Sequence, residues 1–268
     1  MAKTRVLFVT QEMKPYTTLS EISDVVRKLP QYAQDKGMEI RILMPRYGTI
    51  NERRHRLHEV VRLSGMNIIV DDEDFPLIIK VASLPGARMQ VYFLDNEEFF
   101  KRKYIFNDNK GKPFKDNGDR MVFFCKGVVE TVKKFGWPPD VIHCHGWMTS
   151  LIPLYLKKAY ANEPLFKDSQ IIYSLYNNTM EDSLGETFLE KAQINNLEDD
   201  DLDAFSSDGK ITLDNGGIYH ADAIVQGSED IENFEKLADG KPSLPYQQED
   251  ELLPTYLDFY KELAGVEE

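Results

Sequence analysis

Two histidines separated by one residue, His143 and His145, close an apolar run that begins Val141-Ile142. In a strand, residues two apart face the same side, so both imidazoles would share a face. That is half of a metal site, but no third ligand follows at a matching spacing, and a packed His143 is the better reading. A second candidate is Thr18-x-x-Glu21, which has capping-box spacing: the hydroxyl and the carboxylate would satisfy free N–H groups at a helix start. Asp116-Asn117 is a third, either residue being a good N-cap, with Asp119 in the first turn where a carboxylate complements the helix dipole. The run Glu97 to Tyr104 mixes aromatics with bases and reads as a short amphipathic helix under a loop rather than a stacking surface. There is no Ser–His–Asp arrangement, no P-loop and no spaced cysteine set.

The elements that must position these groups start at Arg5 to Pro45. Arg5 to Thr10 is almost wholly apolar, as a strand covered on both faces requires. A polar connection follows, then helical spacing over Leu19 to Lys36 (Leu19, Ile22, Val25 or Val26, Leu29, Ala33) that Gly37 is placed to stop. Glu39 to Met44 is the next strand. Strand–helix–strand of this length opens a doubly wound α/β domain, in which a ligand sits beyond the first strand at the N-terminus of the first helix. Ile50 to Arg62 is a charged excursion or a short helix. Met66 to Val70, Pro76 to Val81 and Met89 to Leu94 read as an antiparallel or mixed extension of the sheet. A long helix to Phe135 is broken by Gly136-Trp137-Pro138-Pro139. Then come the strand Val141 to Cys144, a helix from Met148 to Ala159, and the strand Gln170 to Leu175. The stretch 195–208 is acidic and irregular, Lys210 to His220 resembles a helix, and Ala223 to Gln226 is a last strand. Residues 1–240 are read as one Rossmann-like domain and 241–268 as an acidic tail whose Pro254 to Leu263 docks as a helix, with Pro254 near its first turn.

The 268 residues carry a formal charge of −13, from 32 Lys+Arg against 45 Asp+Glu. That balance argues against nucleic acid and against an anionic membrane surface. From Gly227 to Glu268 there are twelve acids and three bases, so about −9 of the total lies in that segment. Cys125 and Cys144, in a predicted helix and a predicted strand, are expected as buried thiols. With no leader-like or membrane-spanning apolar run, a cytoplasmic protein is expected.

The segment Pro139 to Lys157, PDVIHCHGWMTSLIPLYLK, resembles the "PDVVHAHDW" strand–helix of bacterial glycogen and starch synthases. Gln11-Glu12-Met13-x-Pro15 is similar to that family's "SEMxP", Asp24 to Pro30 to its "ADVVGALP", and Met38 to Arg46 to its "GHEVRVVLPRY". Asp116-Asn117 with Arg120 resembles "DNxxRF", and Gly217 to Asp222 with Ser228 resembles "AGIxYAD…VS". The likeness covers most of residues 4–230. It implies the N-terminal half of a GT-B fold: α/β, Rossmann-like, with a doubly wound, mostly parallel sheet. It also implies metal-free and cofactor-free transfer of glucose from a nucleotide sugar to an α-1,4-glucan. By resemblance, His145 matches the histidine that bonds the transferred sugar and Asp116 the carboxylate that contacts glucose. Asn117, Trp147, Tyr176 and Asn177 would line the crevice beyond the strand ends.

Departures from the pattern bear on the same site. The family's Lys-Thr-Gly-Gly-Leu is replaced by Thr18-Leu19-Ser20-Glu21-Ile22, which removes both glycines and the lysine that would approach a diphosphate. Glu21 puts negative charge there instead, and Lys14, four positions earlier, is not read as the lysine's replacement. Tyr176 stands for the His of "VHN", Gly146 for the Asp of "HDW", and Asn215 for a Lys. The C-terminal Rossmann half would have to come from a partner polypeptide or a homo-oligomer. The expectation is a family member inactive alone, or a non-catalytic glucan-binding or regulatory partner; a plain Rossmann-like domain for another small ligand is the third reading.

Overall fold

The computed structural model describes residues 3–178, 180, 184–194 and 196–266. The strands are β1 (Arg5–Thr10), β2 (Glu39–Pro45), β3 (His58–Glu59), β4 (Met66–Val70), β5 (Glu73–Ser83), β6 (Gln90–Asp95), β7 (Val141–His145), β8 (Gln170–Leu175), β9 (Ser206–Ser207), β10 (Lys210–Ile211), β11 (Ala223–Gln226) and β12 (Ser243–Leu244). The helices are α1 (Ile22–Asp35), α2 (Glu52–His55), α3 (Glu97–Phe100), α4 (Asn117–Phe135), α5 (Leu151–Leu154), α6 (Phe188–Ala192), α7 (Leu213–His220), α8 (Phe234–Ala238) and α9 (Glu249–Leu263).

One sheet runs β12-β11-β8-β7-β1-β2-β6-β5-β3, with β4 paired to β5, and β9-β10 is a separate hairpin. Pairings from β12 across to β6 are parallel. β5 is antiparallel to β6, β3 and β4, which is the expected extension. The chain moves from β1 outward to β2 and later returns to the other side of β1 with β7. The sheet therefore has its switch point between β1 and β7, where open α/β sheets leave a crevice. Register puts Thr10 beside His145, and His145 beside Ser174, at the carboxyl ends of the strands. β1 and β7 are buried along almost their whole length, as parallel strands covered on both faces must be. α1 packs on β1, β2 and α9, while α4 packs with α5 and α6.

Several boundaries move. α1 begins at Ile22, not Leu19, and Leu19 is 47% exposed. The expected Met148 to Ala159 helix is a 3-10 turn (Trp147–Thr149), then α5, then a π turn (Tyr155–Ala159). The Lys210 to His220 helix starts at Leu213, because Lys210 and Ile211 pair with Ser207 and Ser206. α9 starts five residues before Pro254, which sits in its second turn. Glu249, Asp250 and Glu251 in the first turn complement the helix dipole and explain the earlier start. In the stretch expected to be irregular, residue 195 lies outside the described residues and Asp199–Phe205 is a 3-10 helix. Cys125 and Cys144 are buried free thiols. No helix among the described residues is long and apolar enough to cross a membrane.

Candidate functional site

Strand alternation carries His143 and His145 to one face of β7, with ring centroids 3.8 Å apart. Both are fully buried. His143 shares hydrogen bonds with Tyr260 of α9 (Nδ1 to Oη, 2.7 Å) and with Ser174 of β8 (Nε2 to Oγ, 2.7 Å). Both ring nitrogens are thereby taken, and no metal can use them. Among the described residues no group of three or more His, Cys, Asp or Glu is placed to hold a metal. His145 shares one bond, Nδ1 to the Tyr176 hydroxyl at 2.9 Å, while its Nε2 is buried with no partner. Burial pushes His145 down to about 3 and His143 well below the usual imidazole range, so both rings are neutral at pH 7.

The connection after β1 folds on itself. Tyr16 and Thr17 donate their backbone N–H groups to the Met13 carbonyl. Into this turn reaches Glu12, fully buried, and its carboxylate accepts from the backbone N–H of Leu19 (2.5 Å), the N–H of Ser20 (2.9 Å) and the Ser20 hydroxyl (2.6 Å). The capping box is therefore absent. Thr18 is exposed outside the helix, and Glu21 makes no side-chain cap. Glu12 takes the Leu19 and Ser20 N–H groups ahead of the helix, and Ser20 Oγ accepts from the Ile22 N–H at 3.3 Å. Glu21 instead accepts a hydrogen bond from the Ser228 hydroxyl, and that same oxygen of Ser228 accepts from the Asn177 N–H at 3.0 Å. Asn178 Nδ2 donates to Ser20 Oγ at 3.2 Å. The loops after β1, β8 and β11 are thus stitched together across the crevice mouth. Lys14 does not reach it, because Asp24 holds its ammonium at 2.6 Å.

Gly146 has φ +88, a left-handed value that favours glycine. A Cβ there would lie 2.4 Å from Gln11 Cδ. Gln11 is itself 2% exposed; its N–H donates to the His145 carbonyl at 3.3 Å, and its Oε1 accepts from Met148 N–H at 3.4 Å. The amide of Gln11 thus fills the space next to the β7 terminus. Tyr176 is fixed from the other side, since a Cβ on Gly227 would lie 2.4 Å from its ring.

The remaining candidates are placed differently from expectation. Trp147, expected to line the crevice, is 2% exposed and packs on Phe106 at 4.9 Å between ring centroids. Asp116 occupies the N-cap position of α4 but makes no side-chain cap, because Arg102 clamps both of its oxygens. Asn117 is buried; its Nδ2 donates to the Phe106 carbonyl (3.0 Å) and its Oδ1 accepts from Arg120 (2.9 Å). Asn177 is exposed at the mouth. The structure therefore brings together His145, Tyr176, Ser20, Glu21 and Asn177, and turns Asp116 toward Arg102. Glu12, Gln11 and Ser228 were missed as site residues. Their signal was membership of the matched segments Gln11-Glu12-Met13 and Gly217 to Asp222 with Ser228, together with position just beyond the ends of β1 and β11.

The model of the starch synthase catalytic domain matches residues 5–233. A glycogen synthase of Pelodictyon phaeoclathratiforme is 42% identical over 174 residues, which are 65% of this chain and 36% of that protein. A glycogen synthase of Chlorobaculum tepidum is 37% identical over 227 residues, 84% of this chain and 46% of that protein. The chain thus spans less than half the length of these relatives. Among solved structures, the catalytic domain of starch synthase IV from Arabidopsis thaliana, bound to ADP and acarbose, superposes with a TM-score of 0.72 at 20% identity. That superposition covers 97% of this chain and 50% of the plant one, and it shows a shared fold.

Proposed function

Because the chain belongs to the starch synthase catalytic-domain family, we propose that it is a glycogen/starch synthase-type domain that handles α-glucan but has a closed donor side. By itself it transfers no glucose from a nucleotide sugar. One observation carries this reading: Thr18-Leu19-Ser20-Glu21-Ile22 stands where the family has Lys-Thr-Gly-Gly-Leu, and the backbone N–H groups of Leu19 and Ser20 in that loop are held by the Glu12 carboxylate rather than left for a diphosphate. Glu21 adds a second carboxylate at the same helix end, and Lys14 is spent on Asp24. At a partly screened 4–5 Å, each carboxylate–phosphate charge pair would cost on the order of 1–4 kcal/mol. The buried, unpartnered Nε2 of His145 supports a retained sugar-facing group, since a hydroxyl would complete its hydrogen bonding. A second reading, a transferase that retains nucleotide-sugar binding, is supported by the shared fold with a protein bound to ADP and acarbose.

The test is titration of the purified chain with ADP-glucose, paired with a glycogen-extension assay. No nucleotide-sugar binding and no extension are expected. Measurable extension by the chain alone, or a soaked crystal with phosphates against residues 18–22, refutes the closed donor side.

A further inference from the structure

Tyr260, His143, Ser174, Tyr176 and His145 are all buried around β7 and are joined by hydrogen bonds. The Tyr260 hydroxyl meets His143 Nδ1 at 2.7 Å, His143 Nε2 meets Ser174 Oγ at 2.7 Å, and the Tyr176 hydroxyl meets His145 Nδ1 at 2.9 Å. Burial pushes the Tyr176 phenol up, and a hydrogen bond from the Ser174 side chain counters part of that, which marks the serine as donor to Tyr176 Oη. Both imidazoles are neutral, so each has one N–H and one bare nitrogen, and each hydroxyl has one proton to give. Where the protons lie follows by counting partners. Suppose every proton points from Tyr260 toward His145. The chain then reads Tyr260 O–H to His143 Nδ1, His143 Nε2–H to Ser174 Oγ, Ser174 O–H to Tyr176 Oη, and Tyr176 O–H to His145 Nδ1. A single polar group is left over, the N–H at His145 Nε2, which is the ring's unpartnered atom. The opposite direction leaves two: the Tyr260 proton, which has no other acceptor among the described residues, and a bare His145 Nε2. Reversing one histidine alone also leaves two, because a proton is then stranded on Tyr260 or on one of the hydroxyls of Ser174 and Tyr176. Each unmade buried hydrogen bond costs stability, so the arrangement with one is preferred.

We propose that Tyr176 is a positioning residue that, fed by the chain from Tyr260, holds His145 in its Nε2–H form, so that the atom left for a ligand is a hydrogen-bond donor. The tautomer of a histidine is set by the bond its other nitrogen makes, and here that nitrogen is capped by the phenol. His145 therefore recognises an oxygen lone pair and takes no proton from a ligand hydroxyl. The residue responsible is one of the chain's departures from the family pattern, a tyrosine in place of a histidine. That the recognised oxygen belongs to a sugar rests on the functional reading above; the position of the proton does not.

The experiment is long-range proton–nitrogen correlation NMR of the whole chain with isotope-labelled histidine, without ligand at neutral pH. Wild type, Tyr176→Phe and Tyr260→Phe are compared, and His145→Gln identifies the His145 signals. Wild type is expected to show a protonated Nε2 and a bare Nδ1 at His145, with the other tautomer a minor species. In Tyr176→Phe the share of the Nδ1–H form is expected to rise at least about fivefold, as the phenol no longer caps that nitrogen. Tyr260 hydrogen-bonds His143, not His145, yet without its hydroxyl both directions of the chain leave two groups unpaired. Tyr260→Phe is therefore expected to shift the tautomers of both histidines together, a response that a merely structural contact would not pass on to His145. A protonated Nδ1 at His145 in wild type overturns the proposal, and that spectrum decides it even where a variant fails to fold. An unchanged His145 tautomer in Tyr176→Phe overturns the positioning role, and one unchanged in Tyr260→Phe overturns the chain that feeds it. Maltotriose is added last: its binding is expected to leave Nε2 protonated, and transfer of the proton to Nδ1 in the complex overturns the donor role. Absence of maltotriose binding overturns the glucan reading and leaves the tautomer standing.

Discussion

Glu12 lies two residues beyond the last residue of β1, fully buried, with three hydrogen bonds to its carboxylate. Hydrogen bonds to a charged group contribute more than neutral ones, and a donor left buried and unpaired costs about as much again. Glu12→Ala is expected to lower stability by roughly 2–4 kcal/mol in urea denaturation, as Leu19 and Ser20 lose their acceptor. The histidine pair yields a pH prediction. Burial lowers the His145 imidazole to about 3 from an ordinary 6.5, so between those values the unfolded chain binds a proton that the folded protein refuses. Its contribution is therefore complete above pH 6.5 and is lost on acidification, by roughly 2 kcal/mol between pH 7 and pH 5. His143 is shifted in the same direction and adds to the slope. Urea midpoints at the two pH values check this, and His145→Gln should flatten the dependence; a slope equal to wild type would refute it.

At the scale of elements, the ends of β1 and β7 interlock. Gly146→Ala places a methyl group against the Gln11 side chain at a positive φ, and a loss of at least about 3 kcal/mol is expected. Gln11→Ala should recover part of that loss, with a coupling of about 1–2 kcal/mol in a double-mutant cycle. Additive losses would show that the two residues do not compete for one space. α9 is joined to β7 in the same way. Tyr260→Phe removes the hydroxyl that meets His143 Nδ1, and a loss of about 1–2 kcal/mol is expected in equilibrium unfolding. Boundary errors at this scale have a common cause: periodicity reports which residues are apolar, not who supplies the end caps. Leu19 has helical spacing, yet Glu12 captured its N–H and Ser20's, and α1 starts three residues later.

For the whole molecule, one hydrophobic core runs from β1 through β7, β8 and β11 to Leu244, Tyr256, Leu257, Phe259 and Tyr260. Unfolding followed by tryptophan fluorescence and by far-ultraviolet circular dichroism should therefore coincide in one transition; separate midpoints would show that the C-terminal segment unfolds alone. The doubly wound architecture was legible because β1, β7 and β8 are apolar runs and α1 and α4 carry long apolar stripes. The site was legible only in its strand-end members. His145 and Tyr176 were named through the family resemblance, and strand alternation added only that His143 and His145 share a face, whereas the Glu12 and Ser228 contacts join residues through loops, where no periodicity applies. Trp147 and Asp116 were misplaced for the same reason: Phe106 and Arg102, which bury the one and clamp the other, lie on a loop.

The bond between Tyr260 and His143 spans 117 residues. A polypeptide leaving the ribosome exposes the central strand long before the tyrosine that completes it, and contacts of such separation are made late. Until then the imidazole in the middle of the sheet stays hydrated and able to take a proton. A helix made after every strand of the sheet is thus the one that dries its centre.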